Sequence, residues 1–276
     1  MTKPRILYVS QHVVPFLPTT PMGQVCRNLP QGIHERGREI RIFTPRFGKI
    51  NERRHQLHEV IRLSGMNLAV DDTDHPLIIK VASIPTARMQ VYFIDNDEFF
   101  KRKFVFEDAD GVSYPDNDER AIFFVRGVLE TVKKLGWAPD IIHCTGWMTH
   151  LLPVYVKQLY AGDPYFAKSK VVCSLFDEGF EGTLDARLAE KMVQDGIDGQ
   201  SIGCLASPTF AALNALAIQH ADGIIVGSEE LDAETLALLD QAVVPVMRFP
   251  GEEGYVSEIN AYYDTILEGK TEAVAE

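Results

Sequence analysis

Ile6-Leu7-Tyr8-Val9-Ser10, a loop, then Thr20-Pro21 opening a helical stretch that runs to about Glu35 and stops at Gly37, then Glu39-Ile40-Arg41-Ile42-Phe43: this reads as strand, helix, strand. Thr20 is a natural N-cap, and Pro21 suits the first helical position, where no N–H is required. Short connections between such units build parallel sheets with helices packed on them.

The alternation continues downstream. Strands are expected at 77–82 and 89–94, as a hairpin or an extension of the main sheet. Asp116-Asn117-Asp118 then caps a helix in which Ala121, Phe124, Val125, Val128, Val132 and Leu135 recur at helical spacing, with Gly136 as its stop. Further strands are expected at 140–144, 170–175, 223–226 and 243–247, and helices at 147–160, 184–193, 208–220, 231–239 and 256–267. The expected fold is α/β, one doubly wound, mostly parallel, Rossmann-like sheet over residues 1–270, followed by a flexible tail at 271–276.

The chain has 276 residues, 46% hydrophobic and 24% charged, an ordinary globular balance. Its net charge of −12 argues against a nucleic-acid partner, because phosphate backbones are held by clustered Lys and Arg. The basic cluster from Arg46 to Arg54 is broken by Gly48, Asn51 and Glu52 and reads as a solvated loop. No apolar run approaches the ~20 residues of a membrane span, and no secretory leader pattern is present, so a cytoplasmic chain is expected. Cys26, Cys144, Cys173 and Cys204 lack metal-ligand spacing and read as buried reduced thiols.

In an open parallel sheet, ligands sit beyond the carboxyl ends of the strands. The first such end carries His12 and a loop with Pro18 and Pro21, which lack N–H groups, no lysine, and no glycine before Gly23. Thr19, Thr20 and Gln24 could bind a sugar hydroxyl, or Thr20-Pro21 simply starts a helix. At the second end, Tyr92, Asp95 and Asn96 fit either plain turn chemistry or carbohydrate recognition by a flat ring with polar forks. At the third, His143 and Trp147 are structural or ligand-facing; His143 and His150 lack a third ligand for a metal. At the fourth, Asp177 and Glu178 either serve as acid or base or cap the following helix. Walker and GxGxxG motifs are missing from the sequence.

Several segments together resemble the N-terminal domain of glycogen and starch synthases. They include Leu29-Pro30, Pro45-Arg46-Phe47-Gly48, Val91 to Asn96, Tyr114-Pro115-Asp116-Asn117 with Glu119-Arg120, Lys134 to His143, Trp147, Ala221-Asp222, and Val226 to Ser228. The resemblance spans about residues 5–230. It implies the two-domain GT-B architecture and transfer of glucose from ADP-glucose to an α-1,4-glucan.

By the same resemblance, the donor-loop lysine corresponds to Pro18, its two glycines to Thr20 and Pro21, and a following aspartate to Gln24. In the His-x-His-Asp-Trp-His run, His143 and Trp147 remain, while Thr145, Gly146 and Met148 replace the other named members. The catalytic-site His-Asn becomes Phe176-Asp177, followed by Glu178-Gly179-Phe180-Glu181-Gly182. The family's C-terminal domain is not expected in this chain.

The expectation is a synthase-type domain that is not competent alone. No catalytic residue is assigned with the family His at Phe176; His143 and Asp177 are the remaining candidates. Sugar or glucan binding is expected from Thr19, Thr20, Gln24, Tyr92, Asp95, Asn96, His143 and Trp147. The partners expected are an α-glucan or sugar nucleotide, and a second copy or another protein covering the cleft face. No cofactor, metal, nucleic acid or membrane is expected. The alternatives are a transferase completed by a separately encoded nucleotide-binding half, a repurposed enzyme using His12, His143, Asp177 or Glu178, and a purely structural module.

Overall fold

The computed structural model describes residues 3–251 and 253–269; the tail expected at 271–276 lies outside them. Strand β1 (Arg5–Ser10) feeds helix α1 (Pro21–Glu35), which returns to β2 (Glu39–Pro45). Thr20 is the N-cap and Pro21 the first helical residue, as the sequence indicates. A short helix α2 (Glu52–His55) leads to β3 (His58–Glu59), β4 (Met66–Val70), β5 (Thr73–Ile84) and β6 (Met89–Asp95). After α3 (Asp97–Phe100) and the long α4 (Asn117–Lys134) come β7 (Ile141–Thr145), α5 (Leu152–Lys157), β8 (Lys170–Leu175) and α6 (Leu188–Gln194). The chain continues through α7 (Phe210–His220), β9 (Gly223–Val226), α8 (Ala233–Asp240), β10 (Val246–Met247) and α9 (Tyr255–Glu268).

The strands form one sheet in the order β10-β9-β8-β7-β1-β2-β6-β5-β3, with β4 paired to β5. All pairs from β10 through to β6 are parallel, and β5 joins β6 antiparallel as the expected hairpin. Strand order runs one way from β1 to β2 and the other way from β7 to β8. The crevice beyond β1 and β7 is therefore the switch point. α9 packs against α1, while α4 contacts α5 and α6, and α5 contacts α7. No described helix is long and apolar enough to cross a membrane.

Several elements differ from their sequence expectation. The helix expected at 147–160 is a 3₁₀ turn (Trp147–Thr149) followed by α5, because Pro153 has no N–H to continue a single ladder. The helix expected at 184–193 starts only at Leu188; upstream, Leu184 N–H bonds Pro208 O and the Asp185 carboxylate takes Arg187 N–H. The strand expected at 243–247 shrinks to two residues at the sheet edge, and Val243 is 93% exposed. β4 and the 3₁₀ stretch Gly199–Ala206 carried no period strong enough to read. Cys26, Cys144 and Cys173 are buried, whereas Cys204 is partly exposed.

Candidate functional site

The first turn of α1 faces the switch-point crevice, and its backbone donors are all accounted for. Pro21 has none. Met22 N–H donates to Glu178 Oε1 at 3.0 Å, Gly23 N–H to Thr20 Oγ1 at 3.1 Å, and Gln24 N–H to Thr20 O at 3.0 Å. A helix N-terminus attracts anions through such free donors; here a carboxylate from 156 residues away already fills the role. Gly23 is required beside it: a Cβ there would lie 2.7 Å from the His12 ring.

His12 Nε2 donates to Pro18 O at 2.6 Å. Burial holds its imidazole below the ordinary histidine range, outweighing the pull of the Pro18 carbonyl and the Glu178 carboxylate. The crevice floor is closed by Gln11, whose Oε1 accepts from Met148 N–H at 3.2 Å, and Gly146 (φ +89°) leaves room for that side chain.

Two cavities open on this face. One, of about 320 Å³, is lined by His12, Pro18, Thr20, Lys49, Phe106 and Glu178 among others. Lys49 is exposed, and its ammonium has no ion-pair partner among the described residues. The other cavity, of about 350 Å³, is walled by Phe106, Tyr114, Trp147 and Phe180, with Asn117 and Asp185 at its polar edge. Trp147 lies 4.9 Å from the Phe106 ring and 5.1 Å from the Phe180 ring. Behind this wall, Arg120 is fully buried among Phe47, Phe100, Phe106 and Tyr114, 5.4 to 5.9 Å from their ring centres. It donates to Phe99 O and Asn117 Oδ1. Burial lowers its guanidinium to about 10.

The residues singled out from the sequence divide sharply. Thr20 and Trp147 line the two cavities; Thr19 and Gln24 are exposed beside the first turn of α1. Tyr92 is buried within the sheet, stacked on Phe43 at 4.9 Å, with Arg41 donating to its hydroxyl. Asp95 is fully buried between Arg46 Nε at 2.9 Å and Lys80 Nζ at 3.0 Å. Asn96 caps α3: its Oδ1 accepts from Phe99 N–H and its amide donates to Pro76 O. These three therefore serve the scaffold in this conformation and present no free group to the crevice.

His143 is 1% exposed, with Ser174 Oγ at 2.7 Å and Tyr263 Oη at 2.5 Å on its two ring nitrogens. His150 is also buried, with neither ring nitrogen hydrogen-bonded. Phe176 is 4% exposed and packs over Gly227, where any Cβ would sit 2.5 Å from the ring. The reading of Asp177 and Glu178 as caps of the following helix needs correction. Asp177 accepts from Ser228 Oγ, Glu178 caps α1 instead, and α6 begins only at Leu188.

The solvated-loop reading of Arg46 to Arg54 also needs correction at two points: Arg46 is buried in ion pairs, and Lys49 lines a cavity. No local sequence signal marks the aromatic cavity, because Phe106, Trp147 and Phe180 are far apart in sequence. Asp118, Glu119 and Asp185 lie close enough to hold a cation, but Lys191 Nζ already sits 2.7 to 2.9 Å from all three.

Residues 5–240 match the family model of the starch synthase catalytic domain. The chain is 37% identical over 194 residues to the glycogen synthase of Chlorobium limicola, covering 70% of this chain and 40% of that protein. It is 34% identical over 239 residues to the glycogen synthase of Chlorobaculum tepidum, covering 84% of this chain and 47% of that protein. The chain thus spans less than half the length of these curated relatives. The solved catalytic domain of starch synthase IV from Arabidopsis thaliana, bound to ADP and acarbose, superposes with a TM-score of 0.71. That match covers 90% of this chain and 51% of that one at 16% identity, and it shows a shared α/β fold over about half of that GT-B catalytic domain.

Proposed function

The chain belongs to the starch synthase catalytic domain family, and from that premise we propose that it is a synthase-type domain that binds an α-glucan or sugar but does not transfer glucose by itself. One observation carries the proposal. Every N–H of the first turn of α1 is bonded within the chain in this conformation, and with Glu178 displaced Met22 N–H alone would be freed for a diphosphate at the loop that the resemblance assigns to the sugar donor. The position of the family's reacting histidine points the same way, because Phe176 offers no hydrogen bond and packs into the core. A departing nucleotide carries about two negative charges, and losing one contact to such charge costs ~10²–10³ in rate.

The aromatic cavity supports the binding half of the proposal. The Phe106, Tyr114 and Trp147 rings offer flat apolar surface, with Asn117 and Asp185 at the edge, the arrangement that suits a pyranose face and its hydroxyls. Acarbose in the Arabidopsis relative makes a saccharide the natural ligand to test.

Radiolabelled ADP-glucose incubated with glycogen and the purified chain is expected to give no incorporation above the blank, and calorimetry is expected to detect maltoheptaose but not ADP-glucose. Clear incorporation by the chain alone sinks the non-catalytic reading.

The alternative is a transferase completed by a separately supplied nucleotide-binding half. It is favoured by Lys49, an ammonium without an ion-pair partner among the described residues on the wall beside α1. Incorporation that appears only when such a half is added would select it. A protein partner or second copy over the cleft face belongs to the same proposal, and sedimentation at high concentration tests it.

A further inference from the structure

The segment after β8 touches both cavities. Glu178 and Gly179 line the smaller one, and Phe180, Leu184 and Asp185 line the aromatic one. Its ends are fixed. At the first, Asp177 is tied to Ser228 at 2.8 Å. At the other, Leu184 N–H bonds Pro208 O at 3.0 Å and Arg187 makes a two-pronged pair with Asp71 at 2.9 Å.

Between these anchors, residues 180–183 make no hydrogen bond to the rest of the described protein. Two side chains hold the middle. Glu178 accepts from α1, and the half-buried Phe180 ring lies on the Trp147 indole, edge-on at 67°, and 6.0 Å from the Phe210 ring, centre to centre. Gly179 lets the backbone run against Phe210, where a Cβ would sit 2.5 Å from the ring, and Gly182 has φ +77°. Such a span has few anchors and opens at low cost.

We propose that residues 177–183 are an autoinhibitory strap. Within the chain itself, the Glu178 carboxylate takes the place of a ligand's acidic group at α1, and the Phe180 ring takes the place of a ligand's ring on Trp147. A saccharide gains Trp147 by lifting Phe180, and Glu178 leaves α1 in the same movement. The inference rests on the proposed function only for the choice of ligand. Because the strapped state does not bind, apparent affinity falls by the fraction of open molecules, and releasing the strap restores it.

The test uses a Trp137→Phe background, which leaves Trp147 as the sole indole of the two in the chain. Trp147 is 2% exposed, so acrylamide should quench its fluorescence weakly. Glu178→Ala removes the contact to α1 without touching Trp147. It is expected to raise the quenching constant at least about twofold and to tighten maltoheptaose binding about tenfold, as release of a closed state requires. Phe180→Ala is expected to tighten maltoheptaose binding as well.

Unchanged quenching in Glu178→Ala overturns the proposal, because the two contacts would then not move together. Weaker maltoheptaose binding in Phe180→Ala also overturns it, because the ring would then be a wall of the site. If no form binds maltoheptaose, the saccharide reading fails on its own, and quenching in Glu178→Ala still decides the strap.

Discussion

Lys191→Met is expected to cost about 3–5 kcal/mol of folding free energy, the usual effect of stripping one partner from a buried ion cluster. The ammonium is 1% exposed and lies 2.8 Å from Asp118, 2.7 Å from Glu119 and 2.9 Å from Asp185. Burial alone would draw it down, but the hydrogen bonds it donates to the three carboxylates outweigh this and hold it above the ordinary lysine range. Methionine nearly matches the length of the side chain, so packing changes little. What remains is three carboxylates facing one another, with Asp118 cut off from solvent.

Such a cluster relieves itself by taking up protons. The deficit relative to the parent should therefore be large at pH 8 and shrink toward pH 5. Urea unfolding of parent and variant at both values checks this. An equal deficit at the two pH values would show that lost packing is the cause and charge is not.

Acidification from pH 7 to 5 is the second large effect, with an expected net loss of about 3 kcal/mol once the opposing groups below are summed. Burial depresses both His143 and His150 from 6.5 to about 3, so each is neutral in the fold. For a base whose folded pKa is lowered, the unfolded chain binds the proton first. Stability is complete above about 6.5 and is lost as pH falls toward 3. At pH 5 each histidine accounts for a loss of ~2 kcal/mol.

Asp118 acts in the opposite sense. Burial raises it to about 6, with Lys191 pulling against the shift. The folded state then binds its proton before the unfolded one does, which returns ~1 kcal/mol over the same interval. Urea midpoints across the range measure the sum. Proton NMR isolates the histidines: two of the eight imidazoles should stay unprotonated at pH 5 while the fold persists. Two buried imidazoles that titrate near 6.5 would remove the basis of this expectation.

Both effects come from residues that sequence reading treated differently from their actual work. The sequence pattern offers His143 and Asp95 as ligand contacts and carries no signal at Lys191. A strand-end residue has two faces to choose from, and pairing register decides which it uses. Tyr8 and His143 are register partners on β1 and β7, Ser174 of β8 reaches the His143 ring diagonally, and α9 closes over them with Tyr263. That burial follows from where a helix beginning at residue 255 docks, which no local pattern contains.

The order of the elements, the parallel sheet, the Thr20-Pro21 helix start, the hairpin of β5 and β6 and the family were set by sequence alone. These rest on local chemistry: capping, periodicity, glycine and proline geometry, and runs of residues that stay together along the chain. The emptiness of the phosphate-type loop was visible too, since prolines carry no N–H. Only the tertiary structure decided what took its place. Glu178 reaches Met22 across 156 positions, Phe106 and Phe180 meet on Trp147, and Lys191 gathers three acids, because the fold brings distant segments to one end of the sheet where buried charge and polar backbone must find a partner.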